Sequence, residues 1–501
     1  MLGTDHNRSP LTQHQEENFL TPALMRYRAD ILSTTYITGV SGAGKTHCIL
    51  AFLEHLGLVP FSFGRYWEER KNGGEPSRQR GTYIAATVVR RAACVLTLRG
   101  VLARTIHQVA YSPILNRTDA EIKELAILNT RLEALERKIA ERPGARANDA
   151  EAEMMERLRR AIEELSAPSF GFSPSILDLT DVLVIDEASM VPDWMHKDLL
   201  TTRPYKLFVG DHAQNSAFDS ACWFEPSIMD GRLTQPMRQQ GHSGIFGAAE
   251  RLRGGNELFP KRAAYGRDGM TVHPFAHHAR WLQQNLDVVE QSLIVVDTNW
   301  LRNQINCLIR RLRGHLDWCP VAGDRIMVTK NAGGFSNGEI LIVDHVHGYD
   351  AAINAVLVDA KRHGERVVIE RLALNVRNLA APYRTSPRAH RDWKDERSRR
   401  GITVLPCEYG FAITCHKAQG SEWQHVVVIV SDWGGGSDNE TRRKWLYTAI
   451  TRGSAKCDLF FFGIGEGRDL DHYWKPSIAR RPIALRPASP SNLPSLGEEL
   501  M

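Results

Sequence analysis

From residue 34 to about residue 110 the chain alternates short apolar runs with stretches of helical apolar spacing. "TTYIT", "CILAFLEHL", "TYIAATVV" and "AACVLTLRGVLA" carry that alternation. It predicts a parallel sheet whose strands are joined by crossover helices. Further on, "DVLVIDEA", "YKLFVGD", "SLIVVDT", "HVVVIVSD" and "CDLFFFGI" are short and continuously apolar. Strands buried on both faces have this pattern, so the main fold class is α/β.

Two stretches break the rhythm. In residues 118–166, Leu125, Leu128, Leu132, Leu135 and Ile139 recur at steps of three and four, and after "RPGARAND" so do Met155, Leu158, Ile162 and Leu165. The spacing predicts two antiparallel helices with a turn near Pro143-Gly144. Over 323–404, "DRIMVTK", "GEILIVDHVHG", "NAVLVDA" and "ERVVIERLAL" read as short strands of a small β module. "APYRTSPRAHRDWKDERSRRG" reads as a basic loop, and the Pro- and Ser-rich tail as loosely held.

Composition narrows the class. The chain has 501 residues, 43% hydrophobic and 24% charged, which suits two to four ordinary globular domains. A net charge of +5 is compatible with nucleic acid without requiring it. The eight cysteines include no C-x-x-C pair, which leaves reduced thiols rather than a zinc site. The polar start shows no signal peptide, and no apolar run is long enough for a membrane span, so a cytoplasmic protein with no membrane partner is expected.

"GVSGAGKT", Gly39 to Thr46, fits the phosphate-loop pattern G-x-x-x-x-G-K-[ST] between a strand and a helix. Gly39, Gly42 and Gly44 would let backbone N–H groups approach phosphate oxygens at a helix N-terminus. Lys45 would reach the terminal phosphates and Thr46 would hold Mg²⁺. "DVLVIDEASM" supplies the acidic half: Asp186 for the Mg²⁺ shell and Glu187 to polarise a water. The cofactors expected are therefore ATP and Mg²⁺.

The remaining motifs resemble superfamily 1 helicases, most closely the RecD/Dda type (superfamily 1B), over roughly residues 11–465. The resemblance rests on "LTQHQ", "ARTIHQ", "DEASM", "VGDHAQ", "LTQPMRQ", "TCHKAQGSEW" and "LYTAITRG". It implies that Gln15 reads adenine and that Gln214, beside Asp211, senses the γ-phosphate. It implies that Arg238 contacts phosphate, that Arg452 is an arginine finger, and that Glu422 lies at the nucleotide. It implies single-strand contacts at Thr87, Thr105, His107, Thr414, His416 and Lys417. The implied architecture is two RecA-like domains, 1–111 with 170–230 and 231–322 with 405–470. A helical-hairpin insert occupies 112–169, an SH3-like β insert 323–404, and a loose tail 471–501.

The implied function is ATP-driven translocation on single-stranded DNA, 5′ to 3′, with duplex unwinding at single-strand/duplex junctions. Replication, recombination or repair in a bacterial or phage-infected cell would use it. Two other readings stay open: an ATPase or remodelling subunit that does not unwind alone, and a small-molecule P-loop kinase. Two departures bear on this. "AATVVRRAA" lacks the family's Pro-Thr-Gly turn before its basic segment, so Arg90 and Arg91 would compensate for Thr87. The 112–169 insert is helical where relatives carry a short β-hairpin, which makes it a wedge, a duplex clamp or a docking arm for a protein partner.

Overall fold

The continuously apolar runs form the buried centres of two parallel sheets. In this computed structural model the described residues are 9–30, 32–114, 119–140, parts of 151–162, 169–216, 222–236, 244–254, 269–376 apart from 352 and 354, 379, 403–431 and 439–461. The first sheet begins with β1 (Thr34–Gly39), β2 (Val59–Pro60), β3 (Thr82–Thr87) and β4 (Ala103–Thr105). The chain then leaves through β5 (Tyr111–Ile114), and β6 (Ser169–Phe172) returns antiparallel beside it. β7 (Val182–Ile185), β8 (Tyr205–Gly210) and β9 (Gly231–Leu233) complete the sheet. Its order is β2-β3-β7-β8-β1-β9, with β4 on β3, and every pairing is parallel. β3, β7 and β8 are buried at every position, as expected of strands covered by helices on both faces.

β10 (Met270–Pro274) and β11 (Leu293–Val296) open the second sheet. A six-stranded module then intervenes: β12 (Arg325–Val328), β13 (Ile340–Asp350), β14 (Ala355–Arg362), β15 (Val368–Asn375), β16 (Val404–Leu405) and β17 (Cys407–Tyr409), in the order β16-β15-β14-β13-β12-β17. It is antiparallel except for β15 with β16, and it has its own core around Val328, Leu341, Val356 and Leu374. β18 (Ala412–Thr414), β19 (Trp423–Val430) and β20 (Gly453–Phe461) return to the second sheet, ordered β10-β20-β19-β11-β18 and wholly parallel.

Two expected boundaries move. β9 pairs with β1, so the first sheet runs past residue 230 to Leu233. β16 and β17 pair inside the β module, so that module runs past 404 to Tyr409. The crossing from β17 to β18 is clamped by Asn306, buried on the helix Asn299–Leu312. Its amide donates to the Tyr409 and Ala412 carbonyls, and its oxygen accepts from the Ala412 N–H. A buried amide with its capacity so fully used fixes the hand-over between sheets.

The insert holds a 22-residue helix, Asp119–Ala140, and helical residues between 151 and 162. Its expected turn at Pro143-Gly144 lies outside the described residues, as do the basic 381–401 loop and the tail. The β5/β6 ribbon at the insert's root has no counterpart in the periodicity, because four-residue strands with a Pro and a Gly give no alternation to detect. Among the described residues no helix is long and apolar enough to cross a membrane.

Candidate nucleotide site

The glycine-rich stretch turns directly from β1 into the helix Lys45–His55. Gly42 and Gly44 hold φ of 80° and 79°, conformations that side-chain-bearing residues rarely adopt. At Gly39 the constraint is space, since a Cβ there would lie 3.0 Å from the Leu233 Cβ and 3.2 Å from the Lys45 Cγ. The Lys45 ammonium folds back to donate to the carbonyls of Gly39 at 2.9 Å and Val40 at 3.2 Å. It is the only strong cation inside the loop itself.

At the end of β7, Asp186 and Glu187 both line the cleft facing this loop. Successive residues of a strand point to opposite faces. Glu187 escapes that rule by adopting φ 54°, a strained conformation for a non-glycine residue. Burial, and then the Glu187 charge, push the Asp186 carboxyl up to about 7, against the pull of Lys45. Glu187 Oε2 is buried without a hydrogen-bond partner. With the Thr46 hydroxyl in the same cleft, these are hard oxygen donors with spare capacity, a set that fits Mg²⁺.

The cleft has a volume of about 1110 Å³ and is walled on its far side by the second lobe. Gly420, Ser421, Glu422 and Arg452 belong to that wall, and Gln214 to the near side. Arg452 is buried, and among the described residues its guanidinium donates only to the Thr448 and Ser421 carbonyls and the Thr451 hydroxyl, never to a carboxylate. A buried guanidinium without an anion is costly, and an incoming phosphate would supply the missing charge. Gln214 is held by Asp211, while its Oε1 is buried and unpartnered.

The structure thus brings Lys45, Thr46, Asp186, Glu187, Gln214, Glu422 and Arg452 to one cleft. Arg238 lies outside the described residues. Gln15 sits differently from a base-reading residue: its carbonyl accepts from the Thr12 N–H and its amide donates to the Ala43 carbonyl, so it braces the phosphate loop. Thr87 is fully buried and its hydroxyl donates to the Val89 carbonyl, so a direct strand contact at this position is corrected to a turn-stabilising one. Arg91 donates to the Gly338 carbonyl of the β module rather than standing free.

Thr105 is buried and caps the helix Ile106–Ala110, leaving its neighbour His107 exposed beside the Tyr111 ring at 5.4 Å. Thr414 precedes the short helix Cys415–Ala418, from which His416 projects to solvent and Lys417 is half-buried. Three residues were not given a place at the nucleotide from sequence, where Tyr447 reads as a packing residue. Arg99 lines the cleft, Gln419 is buried with both amide atoms unpartnered, and Tyr447 touches the phosphate loop. Gln419 lies in the quoted "TCHKAQGSEW", but nothing in the text marks its amide as unpartnered.

The two lobes define a P-loop ATPase whose nucleotide cleft is completed by an arginine from a second parallel sheet. Comparison with known proteins agrees with that class. An AAA domain family matches residues 29–218, and the UvrD-like helicase C-terminal domain family matches residues 409–459. The chain therefore carries an AAA domain followed by a UvrD-like helicase C-terminal domain, as an ATP-hydrolysing helicase does. Among solved structures, Pif1 helicase from Candida albicans is similar at 14% identity and TM-score 0.44, covering 91% of this chain and 95% of that one. Bacteroides Pif1 bound to ssDNA is similar at 14% identity and TM-score 0.42, covering 91% and 93%. No curated protein sequence matches the chain.

Proposed function

We propose that the chain couples ATP hydrolysis to 5′-to-3′ movement along single-stranded DNA and to duplex unwinding, in the manner of the RecD/Dda type that its motifs resemble. The observation that carries this reading is a cleft lined by Lys45, Asp186 and Glu187 of one lobe and by Arg452 of the other. Lys45 and the loop amides bind the triphosphate. Thr46 and Asp186 would hold Mg²⁺, which would supply positive charge against the phosphates. Glu187 orients the attacking water and takes its proton as the γ-phosphorus bond to ADP breaks. Arg452 stabilises the charge of the transferred group, so turnover requires the lobes to be closed. Release of phosphate removes the anion that holds Arg452, and the lobes part.

Alternating closure advances a strand gripped by both lobes, through His107 of the first and His416 and Lys417 of the second, with Glu422 at the nucleotide. Each grip needs only phosphate contacts and stacking of about 1–3 kcal/mol per base. Replication, recombination or repair in the cytoplasm of a bacterial or phage-infected cell is the setting we assign.

The test is unwinding of duplexes carrying either a 5′ or a 3′ single-stranded overhang. Opening of the 5′-tailed substrate alone is expected. ATPase stimulation by single strands without opening of either would leave a translocase or remodelling subunit, and no stimulation at all would return the protein to small-molecule P-loop chemistry.

A further inference from the structure

The helix Asn439–Ile450 of the second lobe carries more than the turn ending in Arg452. Tyr447, one turn earlier, is fully buried and reaches across to the first lobe. Its hydroxyl accepts a hydrogen bond from the Ser41 N–H of the phosphate loop at 3.3 Å and donates one to Asp211 Oδ2 at 2.6 Å. Burial, followed by the Asp211 charge beside it, raises the phenol well above its ordinary range. The proton therefore stays on the oxygen, and the direction of both bonds is fixed.

Neighbouring contacts repeat the connection. The Ser41 hydroxyl donates to the Thr451 carbonyl at 3.4 Å, and the Asn215 N–H donates to Thr448 Oγ1 at 2.9 Å. The Thr448 carbonyl in turn accepts from Arg452 Nε at 3.0 Å. Phosphate loop, Asp211–Asn215 loop and arginine turn are thus tied to one helix end.

We infer that Tyr447 is a positioning residue that sets the register of Arg452 against the phosphate loop and links that register to the Asp211–Gln214 loop. The inference rests on the ATPase reading above and names a residue which that reading does not use. Without the hydroxyl, the ring still fills its slot, but the phosphate loop keeps only the longer 3.4 Å Ser41–Thr451 bond to the arginine turn, and Asp211 loses its bond to that helix. Ground-state binding by Lys45 and the loop amides does not depend on the hydroxyl, whereas stabilisation of the departing γ-phosphate does.

The experiment is steady-state ATP hydrolysis by Tyr447→Phe, Arg452→Lys and the double variant, with and without single-stranded DNA. Tyr447→Phe is expected to lower kcat about tenfold, as loss of one buried hydrogen bond to a charged group would, with KM for ATP within about twofold. The double variant should be no slower than Arg452→Lys alone, because both changes act through the same guanidinium. Wild-type kcat in Tyr447→Phe overturns the inference. So does a raised KM at unchanged kcat, the mark of a packing role, and so does an additive loss in the double variant. If DNA stimulates none of the proteins, the motor reading fails, while the same comparison on basal turnover still decides the role of Tyr447.

Discussion

The two parallel sheets face the same cleft with opposite chemistry. The first offers backbone amides, Lys45 and a pair of carboxylates that are incompletely satisfied: Glu187 Oε2 has no partner, and Asp186 is pushed up to about 7. The second offers Arg452, held in place by carbonyls and a hydroxyl. The first sheet can bind a triphosphate by itself, since the loop and its cation are local. The second cannot, since a lone arginine on a helix end makes no pocket. In the proposed mechanism this division puts binding on one lobe and most of the rate on the other, so that turnover would report on closure.

Removing one group from each lobe tests that division most severely. Lys45→Ala should abolish detectable hydrolysis and weaken nucleotide binding while leaving affinity for single strands. Arg452→Ala should lower kcat by about 10³-fold or more yet still bind a fluorescent ATP analogue. Phosphate-release kinetics with a binding titration separate the two. Full turnover by Lys45→Ala, or unchanged kcat in Arg452→Ala, would dissolve the contrast between the lobes.

A smaller effect sharpens the picture of the first lobe. An acid whose folded pKa lies above its unfolded value keeps a proton that the unfolded chain loses. Asp186 therefore costs the nucleotide-free protein stability as pH rises from about 4 to about 7, and the cost persists above that. Asp186→Asn removes the charge, so Tm should rise by several degrees at pH 8 and hardly move at pH 5, measured by thermal melting without nucleotide. A lower Tm at pH 8 would mean that the carboxylate is better paired than this geometry indicates.

What could be read from the sequence follows the same contrast. The first lobe's chemistry is contiguous: "GVSGAGKT" and "DVLVIDEASM" each place several functional atoms within a few residues, and strand burial follows directly from their apolar flanks. The second lobe's contribution comes from Gly420–Glu422 and Arg452, which a strand and a helix separate along the chain, so its motifs show what is present but not what it touches. Side-chain satisfaction was not legible at all. "LTQHQ" does not reveal that Gln15 spends its amide on Ala43, nor "LYTAITRG" that Tyr447 spans the lobes. Boundaries failed where an edge strand of three residues, such as β9 or β17, is too short to carry a period.

The least of these effects concerns the strand grip of the first lobe, where two of the expected contact residues part company. Thr87 is buried with its hydroxyl given to Val89, while His107 is exposed next to Tyr111. Thr87→Val keeps the volume and loses only an internal hydrogen bond. Single-strand affinity should then stay within about twofold of wild type, with Tm slightly lowered. His107→Ala should weaken binding by about fivefold or more, the lower end of what one stacked base contributes. Fluorescence anisotropy with a labelled oligonucleotide between about 50 and 200 mM salt resolves both, because phosphate contacts set the salt slope and stacking does not. Equal losses in the two variants would show that the β3 turn opens to present Thr87 when a strand arrives, and that the first lobe grips by rearrangement rather than by a surface already formed.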